Sequence, residues 1–212
     1  MAESVVVVEL YTSQGCSSCP PADEFAAMLA SDPRILPLAL HVDYWDYIGW
    51  TDHFAQAKFT DRQRAYARAA GSKTIYTPQF IIGGMDRIEG YSPNETQAQL
   101  RRHLAAKAKV ELTVKRAGDQ LVISAEADPP LSEPVRIQIV RYKPEETVNI
   151  GRGENAGKTI TYHNIVTSWE VVGEWSGQEP LSMTAPVQGG LPAVVILQDG
   201  GPAQIVAAEQ VD

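Results

Sequence analysis

Two thiols three positions apart, Cys16-Ser17-Ser18-Cys19, are the residues of this 212-residue chain best suited to chemistry. That spacing can close a disulfide, exchange it with another, or supply two ligands to a soft metal ion. These 2 cysteines are all the sequence holds, which excludes a disulfide-stapled scaffold. The run at 5–11 before the pair reads as a buried strand, and 20–30 after it as a helix opening on two prolines. A helix start offers unpaired amides and the positive end of a dipole. Cys16 is therefore expected there as an exposed thiolate, its pKa drawn below the free value of about 8.5. Cys19, one turn further in, is expected to be shielded and to act as the resolving thiol. The Cys16–Cys19 disulfide would itself be the redox group, with no other cofactor.

Other residues fall where they could serve such a pair. Thr77-Pro78 precedes a short strand, and an X-Pro bond is where a cis peptide is tolerated. By itself Thr77-Pro78 reads as a plain strand entry; beside the cysteine pair, Thr77 and Pro78 become candidate site residues. Glu9 is the one charge in the first apolar strand, either a buried acid relaying a proton to Cys19 or a carboxylate satisfied by neighbouring amides. The aromatic stretch Asp43-Tyr44-Trp45-Asp46-Tyr47-Ile48-Gly49-Trp50 follows the second strand, at the edge where parallel sheets place ligands. Tyr44 and Trp45 would form a rim for a partner, or pack beneath a helix. His41 with Cys16 and Cys19 would make a copper or zinc site, or His41 is a satisfied core residue.

The elements that must position these groups change character midway. Up to about residue 108, strands at 5–11, 35–42 and 79–82 alternate with helices at 20–30, 51–70 and 92–108, with a short strand near 87–89. Beyond it come apolar or alternating runs at 110–114, 121–125, 135–142, 160–162, 169–172, 194–197 and 205–208, parted by Gly, Pro and Asn. Residues 1–107 hold 10 Lys/Arg and 12 Asp/Glu, against 8 and 14 in 108–212, so the acidity lies mainly in the second half.

The chain resembles the thioredoxin superfamily, and more closely a bacterial family of unknown function, often exported, whose first half is thioredoxin-like. The likeness rests on residues 8–23 (VELYTSQGCSSCPPAD), 41–46 (HVDYWD), 59–64 (FTDRQR) and 76–82 (YTPQFII). It implies an α/β thioredoxin-like domain over 1–108 with a helical insertion, and an all-β antiparallel, sandwich-like domain over 109–212. It implies a dithiol faced by Pro78, with Thr77 and Pro78 placed to hold a partner's backbone, without naming a substrate. A thiol–disulfide oxidoreductase acting on a thiol or disulfide partner is the leading expectation. A metal-delivery protein and a non-catalytic adaptor are the alternatives.

A net charge of −8 and a pI near 5.0 argue against nucleic acid. No apolar run reaches the roughly 20 residues of a membrane helix. Residues 1–4 show no export signal, which points to the cytoplasm unless the start has been trimmed. The stretch Gly153-Glu154-Asn155-Ala156-Gly157-Lys158-Thr159 imitates a phosphate loop but has one residue too few between its glycines, and reads as a hairpin turn.

Overall fold

A computed structural model describes residues 5–211; residues 1–4, on which the reading of the export signal rests, lie outside it. Eleven strands and three α-helices follow in the order β1 (Val6–Thr12), α1 (Pro20–Leu29), β2 (Ile35–His41), α2 (Ala57–Ala69), β3 (Gln79–Ile82), β4 (Asp86–Glu89), α3 (Pro93–Ala105), β5 (Val110–Ala117), β6 (Gln120–Ala127), β7 (Val135–Asn149), β8 (Thr159–Trp175), β9 (Leu181–Pro186), β10 (Ala193–Asp199) and β11 (Ile205–Val211). Eight strands form one mixed sheet, β11-β10-β7-β8-β2-β1-β3-β4, and β5-β6-β9 form a second. Within the large sheet β2 runs parallel to β1, from Val6↔Ile35 to Thr12↔His41, and also parallel to β8 at Ala39↔Ile165.

The expected α/β thioredoxin-like domain followed by a separate all-β domain is not what the chain builds. Its architecture is mostly β, and one sheet runs through both halves of the sequence. The physical reason lies at β2, which is buried along its whole length. Left as an edge it would expose a row of unpaired amides and carbonyls, and β8 from the second half lies beside it, paired at Ala39↔Ile165. Periodicity reveals that both segments are strands but not that they are neighbours.

Side-chain alternation then covers both faces of the large sheet. Val8, Leu10, Phe80 and Ile82 meet α1 and α3 on one face. The same face further along, through Ile137, Ile139, Val195 and Leu197, packs on the small sheet. On the opposite face Val7, Leu38, Leu40, Val140, Val194 and Ile196 lie in one cluster with Phe59 and Tyr66 of α2. The helix expected from residue 51 starts only at Ala57, because 51–56 are held otherwise: Ala55 N–H bonds Asp52 O and Gln56 N–H bonds His41 O. The run at 135–142 is part of one long strand, β7, and the separate runs at 160–162 and 169–172 belong to a single strand, β8, joined to it by the hairpin turn at 150–158. Strand β9 went unforeseen.

Candidate functional site

The two cysteines are joined to each other, with their Cα atoms 5.4 Å apart. Cys19 is the N-cap residue of α1, its carbonyl accepting from the amides of Ala22 and Asp23. Cys16 stands one turn earlier, where Cys19 N–H bonds its carbonyl at 3.2 Å. Both expectations of placement therefore need correction. Cys19 rather than Cys16 sits on the helix end, and Cys16, far from exposed, has 0% accessibility, as does Cys19. Of the four motif residues only Ser17 and Ser18 reach the surface. Ser18 Oγ lies 3.4 Å from Cys16 Sγ and 3.5 Å from the Thr77 carbonyl.

Three other segments converge on this loop. Thr77-Pro78, joined by a cis peptide as expected, enters β3, and β3 pairs with the end of β1 through Tyr11↔Gln79. Trp45 donates its indole N–H to Thr77 Oγ1 at 2.6 Å, and a Cβ on Gly15 would stand only 3.1 Å from Trp45 Cβ. Tyr44, by contrast, turns to α2, where its hydroxyl donates to Gln63 Oε1. From the β7–β8 turn, Asn155 donates to the carbonyls of Gln14 and Cys16, both at 2.9 Å. Trp50 donates to the Gln14 side-chain oxygen at 2.8 Å.

Beneath the loop lies a buried polar cluster. Asp52 Oδ2 is 2.6 Å from His41 Nδ1 and accepts the Gln14 N–H, while Oδ1 accepts the Phe54 N–H. Burial pushes the Asp52 carboxyl up, but His41 and these bonds hold it below the usual range. His41 is packed edge-on against Phe54 and Tyr162. Its Nε2 has no hydrogen-bond partner among the described residues, nor do Thr12 Oγ1 and either oxygen of Asp23. Asp23 follows Cys19 by four residues on α1, so both project from one side of that helix. Desolvation pushes its carboxyl from 3.8 up to about 7, opposed by His41 and the Thr12 hydroxyl and aided by Asp52 and Glu24. The sequence reading missed Asp23, Asp52 and Asn155; for Asp23 the i,i+4 spacing from Cys19 was the available signal.

Glu9 belongs elsewhere. It faces α2 on the other side of the sheet, where Tyr11, Tyr66 and Arg62 donate to its carboxylate at 2.7–2.8 Å. The metal set of Cys16, Cys19 and His41 is not assembled: among the described residues no group of three or more His, Cys, Asp or Glu is placed to hold an ion. No described helix is long and apolar enough to cross a membrane.

The chain is thus a mixed-sheet protein whose first strand delivers a CxxC pair to a helix start, under a cover from a long β hairpin. The chain belongs to the DUF1223 proteins, a family of unknown function whose model matches residues 7–198. Among solved structures it is similar to the crystal structure of an Agrobacterium tumefaciens protein, with 32% identity, a TM-score of 0.83, and coverage of 100% of this chain and 96% of that one. It also shares its fold with HBP35 of Porphyromonas gingivalis, at 13% identity and a TM-score of 0.70 over 99% of this chain and 75% of that one. No curated protein matches the chain.

Proposed function

We propose that the protein is a thiol–disulfide oxidoreductase whose dithiol works in the manner of the thioredoxin superfamily. The observation that carries this reading is the Cys16–Cys19 bond at the start of α1, with the buried carboxyl of Asp23, which meets no hydrogen-bond partner among the described residues, one turn further along. A structural cross-link has no use for a carboxyl kept half-protonated near neutrality. An exchange site does, because the second thiol must lose and regain a proton.

In the reducing direction the Cys16 thiolate attacks one sulfur of a partner's disulfide. That bond breaks, a mixed disulfide forms, and the first partner thiolate leaves and takes up a proton. Cys19 then gives its proton to Asp23 and attacks Cys16 Sγ, releasing the second partner thiol and closing the Cys16–Cys19 bond. Two electrons pass from the dithiol to the partner. A thiol-bearing reductant, small or protein, restores the dithiol, and the same steps in reverse oxidise a partner.

Insulin reduction driven by dithiothreitol tests the proposal. Wild type is expected to accelerate it; Cys16→Ser is expected to abolish the acceleration, and Cys19→Ser to accumulate a mixed disulfide seen by mass spectrometry. Equal rates with and without the wild-type protein would refute the reading.

A further inference from the structure

The burial of Cys16 has a specific structural cause. The β7–β8 turn is exposed at Arg152, Glu154, Ala156, Gly157 and Lys158, yet Asn155 in its middle is 1% accessible. Both donor bonds of its amide go to carbonyls of the dithiol loop, Gln14 and Cys16, about 140 residues away in sequence. The turn is braced on itself, since Gly157 N–H bonds Ile150 O at 2.7 Å and Lys158 Nζ holds Asn155 Oδ1 at 2.8 Å. It is also wedged on Trp50, whose atoms would lie 3.3–3.4 Å from a Cβ on Gly151 or Gly153. Trp50 in turn holds the Gln14 side chain. Hairpin, aromatic segment and dithiol loop thus interlock over a disulfide with no accessible sulfur.

A thiol attacks a disulfide along the S–S axis, and access is one determinant of its rate. No incoming thiol reaches a sulfur of 0% accessibility without local opening. We propose that the β7–β8 turn is a latch on the dithiol loop, and that Asn155 must release the Gln14 and Cys16 carbonyls before Cys16 Sγ can meet a partner. Asn155 is accordingly a positioning residue, acting through the loop backbone and not on the reacting atoms. The latch gives the second half of the chain control over chemistry carried by the first. It serves the exchange reaction proposed above, but opening of the bond to a small thiol is measurable whether or not that reaction is the protein's own.

The test is the rate at which dithiothreitol reduces Cys16–Cys19 in the full-length protein under native conditions, read as the mass increase after iodoacetamide trapping. Dithiothreitol gives up two electrons and two protons to the cysteines and becomes its cyclic disulfide. Asn155→Ala is expected to be reduced about tenfold faster or more, on the scale of losing one or two net hydrogen bonds. Lys158→Met, an exposed change that only frees Asn155 Oδ1, is expected to give roughly a two- to threefold increase. Sub-denaturing urea separates a latch from general destabilisation. Local opening exposes little surface, so the faster rate should hold nearly constant with urea. A rate that climbs with the slope of global unfolding, or wild-type rates in both variants, would overturn the latch. Should Asn155→Ala fail to fold, Lys158→Met decides by the same criteria. Faster reduction of the variants, together with no catalysed insulin reduction by wild type, would keep the latch and sink the oxidoreductase.

Discussion

Asp23 shows how little a residue's type says when its neighbours are unknown. In the sequence, Asp23 and Glu24 look alike, two acids suited to the first turn of a helix. In the structure Glu24 is exposed and Asp23 is buried, with neither oxygen hydrogen-bonded among the described residues. Burial holds its carboxyl at about 7, well above 3.8. The sign of the resulting pH dependence follows from linkage. Between about pH 4 and 7 the native state keeps a proton that the unfolded state has lost, so this group's contribution to stability falls as pH rises and is fully lost above the folded value. Asp23→Asn removes the dependence. The variant is expected to be more stable than wild type at pH 8 by roughly 2–4 kcal/mol, from a carboxyl held near 7 against 3.8. The difference should vanish by about pH 4, as urea denaturation of the oxidised proteins at both pH values can check. If the proton also passes between Asp23 and Cys19, the same variant should slow the release of partner from the mixed disulfide, while the attack by Cys16 is unchanged. The dithiol itself and Thr77-Pro78 were legible because their chemistry and local order lie within short stretches. Asp52 and His41, eleven positions apart, meet only because the chain after β2 folds back over its strand end.

At the scale of elements, Glu9 ties β1 to α2 and, through Gln198, to β10. Arg62 forms a fork on Glu9 through Nε and a terminal nitrogen at 2.8 Å, lies over the Trp169 ring of β8 at 3.7 Å, and reaches Gln198 at 3.1 Å. The Arg62 side chain is 15% accessible and that of Glu9 not at all. The sequence showed a charge in an apolar strand and, 53 residues on, an arginine in a helix; no spacing rule joins them. Such a pair adds little over an apolar replacement, but removing one member strands the other charge in a dry setting. Glu9→Ala is expected to cost about 3–5 kcal/mol in urea denaturation, since Tyr11 and Tyr66 also lose their acceptor. Combining it with Arg62→Met should restore a good part of that loss. A double variant no more stable than Glu9→Ala would mean that the hydroxyls, not the guanidinium, set the cost.

For the whole molecule, the lesson of the continuous sheet is cooperative unity. The change of pattern near residue 108 is real: α3 ends at Ala105, and among the described residues every element from Val110 on is a strand. Composition and periodicity report that change, but they are blind to which strand a later segment will join. The cluster beneath α2 mixes Val7, Tyr11, Leu38 and Ile81 with Val140, Tyr142, Val166, Val194, Ile196 and Ala208, so neither half closes that core alone. A fragment of residues 1–108 would expose the apolar face it shares with the second half and leave β2 as a bare edge. It is expected to show no cooperative thermal transition by circular dichroism. The full chain should unfold in one step, with tryptophan fluorescence, which samples Trp45 and Trp50 beside the dithiol and Trp169 and Trp175 on β8, coinciding with the loss of β signal. Two separated transitions, or a fragment that melts sharply, would contradict a single cooperative sheet. They would also remove the mechanical basis of the latch, because a hairpin rooted in β7 and β8 holds the dithiol loop only while those strands remain fixed to β2.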